Sequence, residues 1–242
     1  VLKGILAAAL VLGLCAACAS TQAPYTADPS GGPAGQDGAD AAAAQGLRSA
    51  GRNPVIVFFP FTGGSASDLY TRHYEASLAG LPVHVLLLDG TGSVSDYNTG
   101  PAWSATIERY EQQVQDRLQE LRGESDVDTS RVILAGYSEG GDLSWALTQR
   151  HPERYVGAIV MGSRCSYRNK TAPKEQAARG FRYYFAVGEN EDPARSGGTE
   201  AAKTVLDRAG VRHRTGIVQG GEHAAATPGM LSDALRFVLG GE

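Results

Sequence analysis

The stretch ILAGYSEGGDLSWAL (Ile133–Leu147) runs from an apolar segment straight into a helical one, with almost no loop between them. Ser138 stands at the corner, with Gly136 two residues before it and Gly140 two after. Such a serine is either a nucleophile displayed by the turn or a small residue that a tight turn tolerates. Glycine fills 31 of the 242 positions, so G-x-S-x-G arises easily by chance. It needs a strand before it and a helix after it to carry weight.

The flanking sequence supplies that context. PVIVFF (Pro54–Phe59), VHVLLLD (Val83–Asp89), RVILAG (Arg131–Gly136), YVGAIVMG, FRYYFAVG and RHRTGIVQ are short apolar or β-branched runs, read as six strands. Longer amphipathic stretches separate them. Ser67–Ala79 is predicted helical with Ser67 as its N-cap, and Pro101–Arg122 places Ile107, Tyr110, Val114, Leu118 and Leu121 on one face. EGGDLSWALTQRH follows the third strand and stops at Pro152. GTEAAKTVLDRAG lies between the last two strands, and MLSDALRFVL closes the chain. Alternating strands and helices predict an α/β fold: a mostly parallel sheet with helices on both faces. In such sheets functional groups gather beyond the carboxyl ends of the strands, which is where Ser138 falls.

The first fifty residues read differently. VLKGILAAALVLGLCAACAS has one lysine and then an apolar run from Gly4 to Ala19, too short for a membrane span and fitting a signal peptide at 1–19. Val1 is read as a non-standard start codon. CAAC ending at Cys18 resembles the lipobox of bacterial lipoproteins, with Cys15 where that box usually has Leu. Cleavage before Ser20 is the alternative route, and either one exports the chain to the cell envelope or beyond. Residues 20–50, rich in Ala, Gly, Pro, Asp and Gln, cannot bury enough surface to fold and are expected to be a linker. The domain is then 51–242.

Net charge is −4 and 42% of residues are hydrophobic, an ordinary globular balance with no basic, aromatic-laced surface for nucleic acid. The run Arg164, Arg168, Lys170, Lys174 is expected to be a solvated loop. Cys165 is alone in the domain and is read as passive, at a strand end. His, Cys, Asp and Glu show no metal-ligand spacing, and no dinucleotide or phosphate loop occurs. No cofactor and no metal are expected, and a membrane partner only through the anchor at Cys18.

GYSEGG between a buried strand and a helix resembles the nucleophile elbow of the α/β-hydrolase superfamily, in its small secreted esterase form. The resemblance spans roughly residues 53–240. It implies Ser138 as nucleophile, the Glu139 N–H as one oxyanion donor, and the chain order serine, acid, histidine. GGEHAAATPG after the last strand then makes His223 the base. The other histidines fall within a helix (His73), in a strand (His84), at a helix end (His151) or near a strand start (His213). The acid lies in FAVGENEDPARSGG. Counting from Gly188 gives Glu191 and counting back from Pro193 gives Asp192; Asp192 is preferred. FFPFTGGSASD sits where relatives carry the second donor, which is Thr62 or Phe61, since Pro60 has no N–H. The Glu139 side chain is expected to face solvent.

About twenty residues join the fourth and fifth strands, too few for a large lid, so the serine should be open to bulky, polymer-attached or short soluble esters. TGSVSDYNTGPAW offers Asp96, Tyr97 and Trp103 as a pocket wall, with core packing as the other reading of Trp103. The function expected is ester hydrolysis through an acyl-enzyme on Ser138. A serine peptidase of the same fold and a catalytically silent binding lipoprotein are the alternatives.

Overall fold

A computed structural model describes residues 51–241. The signal-peptide, lipidation and linker expectations for 1–50, Cys18 among them, lie outside the described residues. Six strands form one parallel sheet in the order β2-β1-β3-β4-β5-β6. They are β1 (Asn53–Phe58), β2 (His84–Leu87), β3 (Val127–Tyr137), β4 (Gly157–Met161), β5 (Arg182–Gly188) and β6 (Arg212–Val218). The helices are α1 (Ala66–His73), α2 (Glu75–Leu78), α3 (Gly100–Leu121), α4 (Glu139–Arg150), α5 (Ala172–Ala178), α6 (Pro193–Ala209) and α7 (Pro228–Val238). The predicted fold class is the one observed.

The central strands are near-continuous apolar runs because both faces of the sheet are covered. Alternation along β1 divides them: Val55 and Val57 join one core with Leu143 and Trp145 of α4 and Ile107 and Val114 of α3. Ile56 and Phe58 join the other with Leu69 of α1 and Leu231 and Leu235 of α7. Trp103 packs against the first core.

Three segments differ from expectation, the first two for a capping reason. Helix α1 starts two residues early because Ser65, not Ser67, is the N-cap: its hydroxyl accepts from the Asp68 N–H and the Asp68 carboxylate accepts from the Ser65 N–H. Helix α6 begins at Pro193, with Asp192 as N-cap. The basic 164–174 stretch is not simply a solvated loop. It leads into α5 (Ala172–Ala178), buries Cys165, and lays the Arg164 guanidinium 5.2 Å from the Tyr97 ring centroid.

The chain leaves β1, builds β2 on one side, then crosses to place β3 on the other. The loop after β1 and the turn after β3 therefore flank the point where the winding reverses, the crevice in which open α/β sheets place their sites.

Candidate active site

The turn from β3 to α4 holds Ser138 at φ 57° and ψ −117°, a conformation L-residues rarely adopt. The crossing is so close that a Cβ on Gly136 would lie 2.3 Å from the Gly140 carbonyl carbon. One on Gly140 would lie 2.8 Å from the Pro60 oxygen. These two glycines are what let strand, helix and the loop after β1 meet at one serine. Its backbone is fixed by Ser138 N–H donating to Met161 O at 2.9 Å.

The His223 imidazole meets this serine. Its Nε2 is 2.9 Å from Ser138 Oγ, and its Nδ1 is 3.1 and 3.3 Å from the two Glu191 carboxylate oxygens. The Glu191 side chain is only 1% exposed and His223 24%. The loop carrying His223 is laced to the loop carrying Glu191: Asn190 N–H donates to Gly221 O, and Gly220 N–H donates to the Glu189 carboxylate. Tyr137 backs the imidazole with its ring 4.8 Å away and its hydroxyl donating to His223 O at 2.8 Å. Burial, with Glu191 beside it, pushes the Tyr137 phenol up to about 12, so it remains a neutral donor.

Asp192, the preferred acid in the sequence, does not reach the imidazole. Its carboxylate accepts from the Ala194 N–H at 2.6 Å as the N-cap of α6 and pairs with Arg195 at the surface. Glu191 takes the position instead. An aspartate directly before a proline that opens a helix is better spent on the cap.

Around the serine, the Phe61 N–H is committed to Gly64 O at 3.1 Å. The Thr62 N–H donates to no group among the described residues, nor does the Glu139 N–H at the first position of α4. Of the two sequence candidates in the loop after β1, Thr62 is therefore the available donor. The Glu139 side chain contradicts the solvent-facing expectation. It is 3% exposed and accepts from Thr62 Oγ1 at 2.9 Å. Nothing in the local sequence reveals this, because the loop that covers Glu139 arrives from residues 60–64 and 92.

The other candidates take structural places. His213 pairs with Asp207 and His151 sits against Glu111 and Glu153. Cys165 is fully buried and its thiol is pushed up to about 12 by that burial. Asp142 accepts from Ser163 Oγ at 2.7 Å and from the Arg164 N–H at 2.8 Å, pinning the loop after β4. In that loop Gly162 lies so close to the imidazole that a Cβ there would sit 2.8 Å from His223 Cε1. A concavity of about 610 Å³ opens at the amino ends of β5 and β6, lined by Arg182, His213, Arg214 and Phe237. It holds no nucleophile and base pair, and the chemistry-bearing groups are at the opposite ends of the strands.

The family model for phospholipase/carboxylesterase proteins matches residues 97–238, more than half of the chain. The chain belongs to that family. This hydrolase also matches an α/β-hydrolase domain-containing protein, WAV2 of Arabidopsis thaliana, at 29% identity over 112 residues. That match covers 46% of this chain and 33% of the relative, so it spans about a third of the relative's length. Among solved structures, esterase PE8 superposes with a TM-score of 0.58 at 18% identity, covering 78% of this chain and 94% of that one. The Bacillus cereus carboxylesterase gives 0.55 at 17% identity, covering 77% and 87%. At such identities the structures establish the α/β-hydrolase fold.

Proposed function

We propose that the protein is an exported serine hydrolase that cleaves carboxylic esters through an acyl-enzyme on Ser138. The observation that carries this reading is the relay Ser138 Oγ, His223, Glu191, closed by hydrogen bonds at 2.9 and 3.1 Å. A serine hydroxyl is a poor nucleophile until a base takes its proton. His223 Nε2 accepts that proton as Oγ bonds to the ester carbonyl carbon. The carbonyl oxygen becomes an oxyanion between the N–H groups of Glu139 and Thr62. Glu191 holds the Nδ1–H tautomer and stabilises the imidazolium. His223 then gives its proton to the departing alcohol oxygen as that C–O bond breaks. A water, deprotonated by the same imidazole, attacks the acyl carbon and restores Ser138.

The segment between β4 and β5 contains one short helix, α5, of seven residues. So small an insertion supports bulky, polymer-attached or short soluble esters as substrates. The exported, Cys18-anchored location rests on residues 1–19 alone. In a bacterial host, Cys18→Ser should move the protein from the membrane to the soluble fraction.

The test of the chemistry is labelling by a fluorophosphonate together with turnover of p-nitrophenyl and peptide substrates. Wild type should label and hydrolyse the esters, and Ser138→Ala should do neither. Equal labelling of Ser138→Ala, or cleavage of the peptides in preference to the esters, would overturn the reading.

A further inference from the structure

Glu139 supplies more than its backbone N–H. Its side chain is buried at the junction of three segments: the loop after β1, the loop after β2 and the start of α4. Oε2 accepts from Thr62 Oγ1 at 2.9 Å, and the Tyr97 hydroxyl lies 3.3 Å from the same Thr62 oxygen. The junction is so full that a Cβ on Gly92 would lie 2.4 Å from Glu139 Oε2 and 2.5 Å from the Phe61 carbonyl carbon.

Glu139 Oε1 is buried and has no hydrogen-bond donor. What faces Glu139 is a second carboxylate, Asp96. Asp96 is itself held by the Ser93 N–H at 3.0 Å and by Arg109 at 3.4 Å. Two ionised carboxylates side by side repel, and a buried oxygen without a partner is costly. One proton on Oε1 removes both problems: Glu139 then donates to Asp96 and still accepts from Thr62. Arg109 lies on the Asp96 side of the pair, 3.4 Å from its carboxylate.

The groups facing Glu139 are Thr62 from the loop after β1, Asp96 and Tyr97 from the turn after β2, and Arg109 and Tyr110 from α3. Burial is the dominant influence and pushes the Glu139 carboxyl up to about 7. The Thr62 bond opposes this, Asp96 reinforces it, and Arg109 opposes it weakly.

The consequence concerns the two donors. Glu139 carries one on its own backbone and grips the residue that carries the other. We propose that Glu139 is a positioning residue whose side chain holds Thr62, and with it the second oxyanion donor, while sharing a proton with Asp96. This rests on the serine-esterase reading. Loss of the shared proton sets Glu139 against Asp96 and loosens Thr62. Turnover then falls while binding of the ester in the ground state changes little.

The experiment is the pH dependence, from about pH 6 to 9, of p-nitrophenyl acetate turnover and of fluorophosphonate labelling rate. Wild type should lose about tenfold in kcat on the alkaline side, with KM within about twofold. Glu139→Gln keeps a donor to Asp96 and an acceptor for Thr62 at every pH, so its alkaline side should be flat. Asp96→Asn, which donates to Oε1 without needing a proton, should flatten it too. Glu139→Ala should be slower by about tenfold throughout, and Glu139→Gln should recover most of that loss. An alkaline fall that persists in both Glu139→Gln and Asp96→Asn, or no fall in wild type, overturns the proposal and leaves the esterase reading standing. Wild type that labels at no pH overturns both.

Discussion

At the C-terminal end of α4, Thr148 and Gln149 are buried against Tyr183 of β5 and Gln176 of α5; at its N-terminal end, Glu139 is buried beside Ser138. The first network is neutral and closed. Tyr183 donates to Thr148 Oγ1 at 2.9 Å and accepts from Gln149 at 2.9 Å and Gln176 at 2.8 Å. Thr148 passes its own proton to Ser144 O. The second network holds a serine at positive φ, a carboxylate 1% exposed against an imidazole, and a buried oxygen with no donor. The first is the drier, all four of its side chains being buried while His223 is 24% exposed. They differ also in satisfaction: one end of the helix leaves no buried atom of these four side chains unpartnered, and the other leaves charge, strain and an unpaired acceptor where a reaction would use them.

The sharpest way to break the reactive end is Glu191→Gln. It preserves shape but removes the charge beside His223, and kcat should fall on the order of 10³–10⁴-fold. Asp192→Asn, which still caps α6, should leave kcat within about twofold; the pair of steady-state assays separates the two neighbours. Tyr183→Phe tests the closed end. It strips an acceptor from two buried amides and a donor from Thr148, so chemical denaturation should show a loss of about 1–3 kcal/mol with turnover retained. The smallest effect has the opposite sign. Ser138→Gly relieves the φ of 57° and should raise unfolding stability by about 1 kcal/mol while abolishing hydrolysis. A loss of stability there would mean that the turn stores no strain.

Much of this was legible in the sequence because it depends on local pattern. The β-branched runs marked all six strands, and the corner at Ser138 and the late loop at His223 followed from their places in chain order. What was not legible depends on which of two competing local uses a residue serves. Asp192 has the cap signature, aspartate before a helix-opening proline, and the same proline drew it toward the acid position. Reading the cap first would have released Glu191. Ser65 and Asp68 likewise spelled a capping box that Ser67 obscured. Glu139 is a different kind of miss. Its burial is decided by residues 77 positions away in the chain, and no periodicity within α4 encodes that.

Cys165 adds a consequence of another kind. Its sulfur lies in the core with no exposure and a thiol pushed up to about 12, and among the described residues it has no disulfide partner. A thiolate-seeking reagent reaches this sulfur only when the fold opens around it. The native domain therefore carries a silent clock: the rate at which a coloured disulfide reagent consumes this one sulfur, under conditions where reclosing is slower than reaction, is the rate at which the fold comes apart.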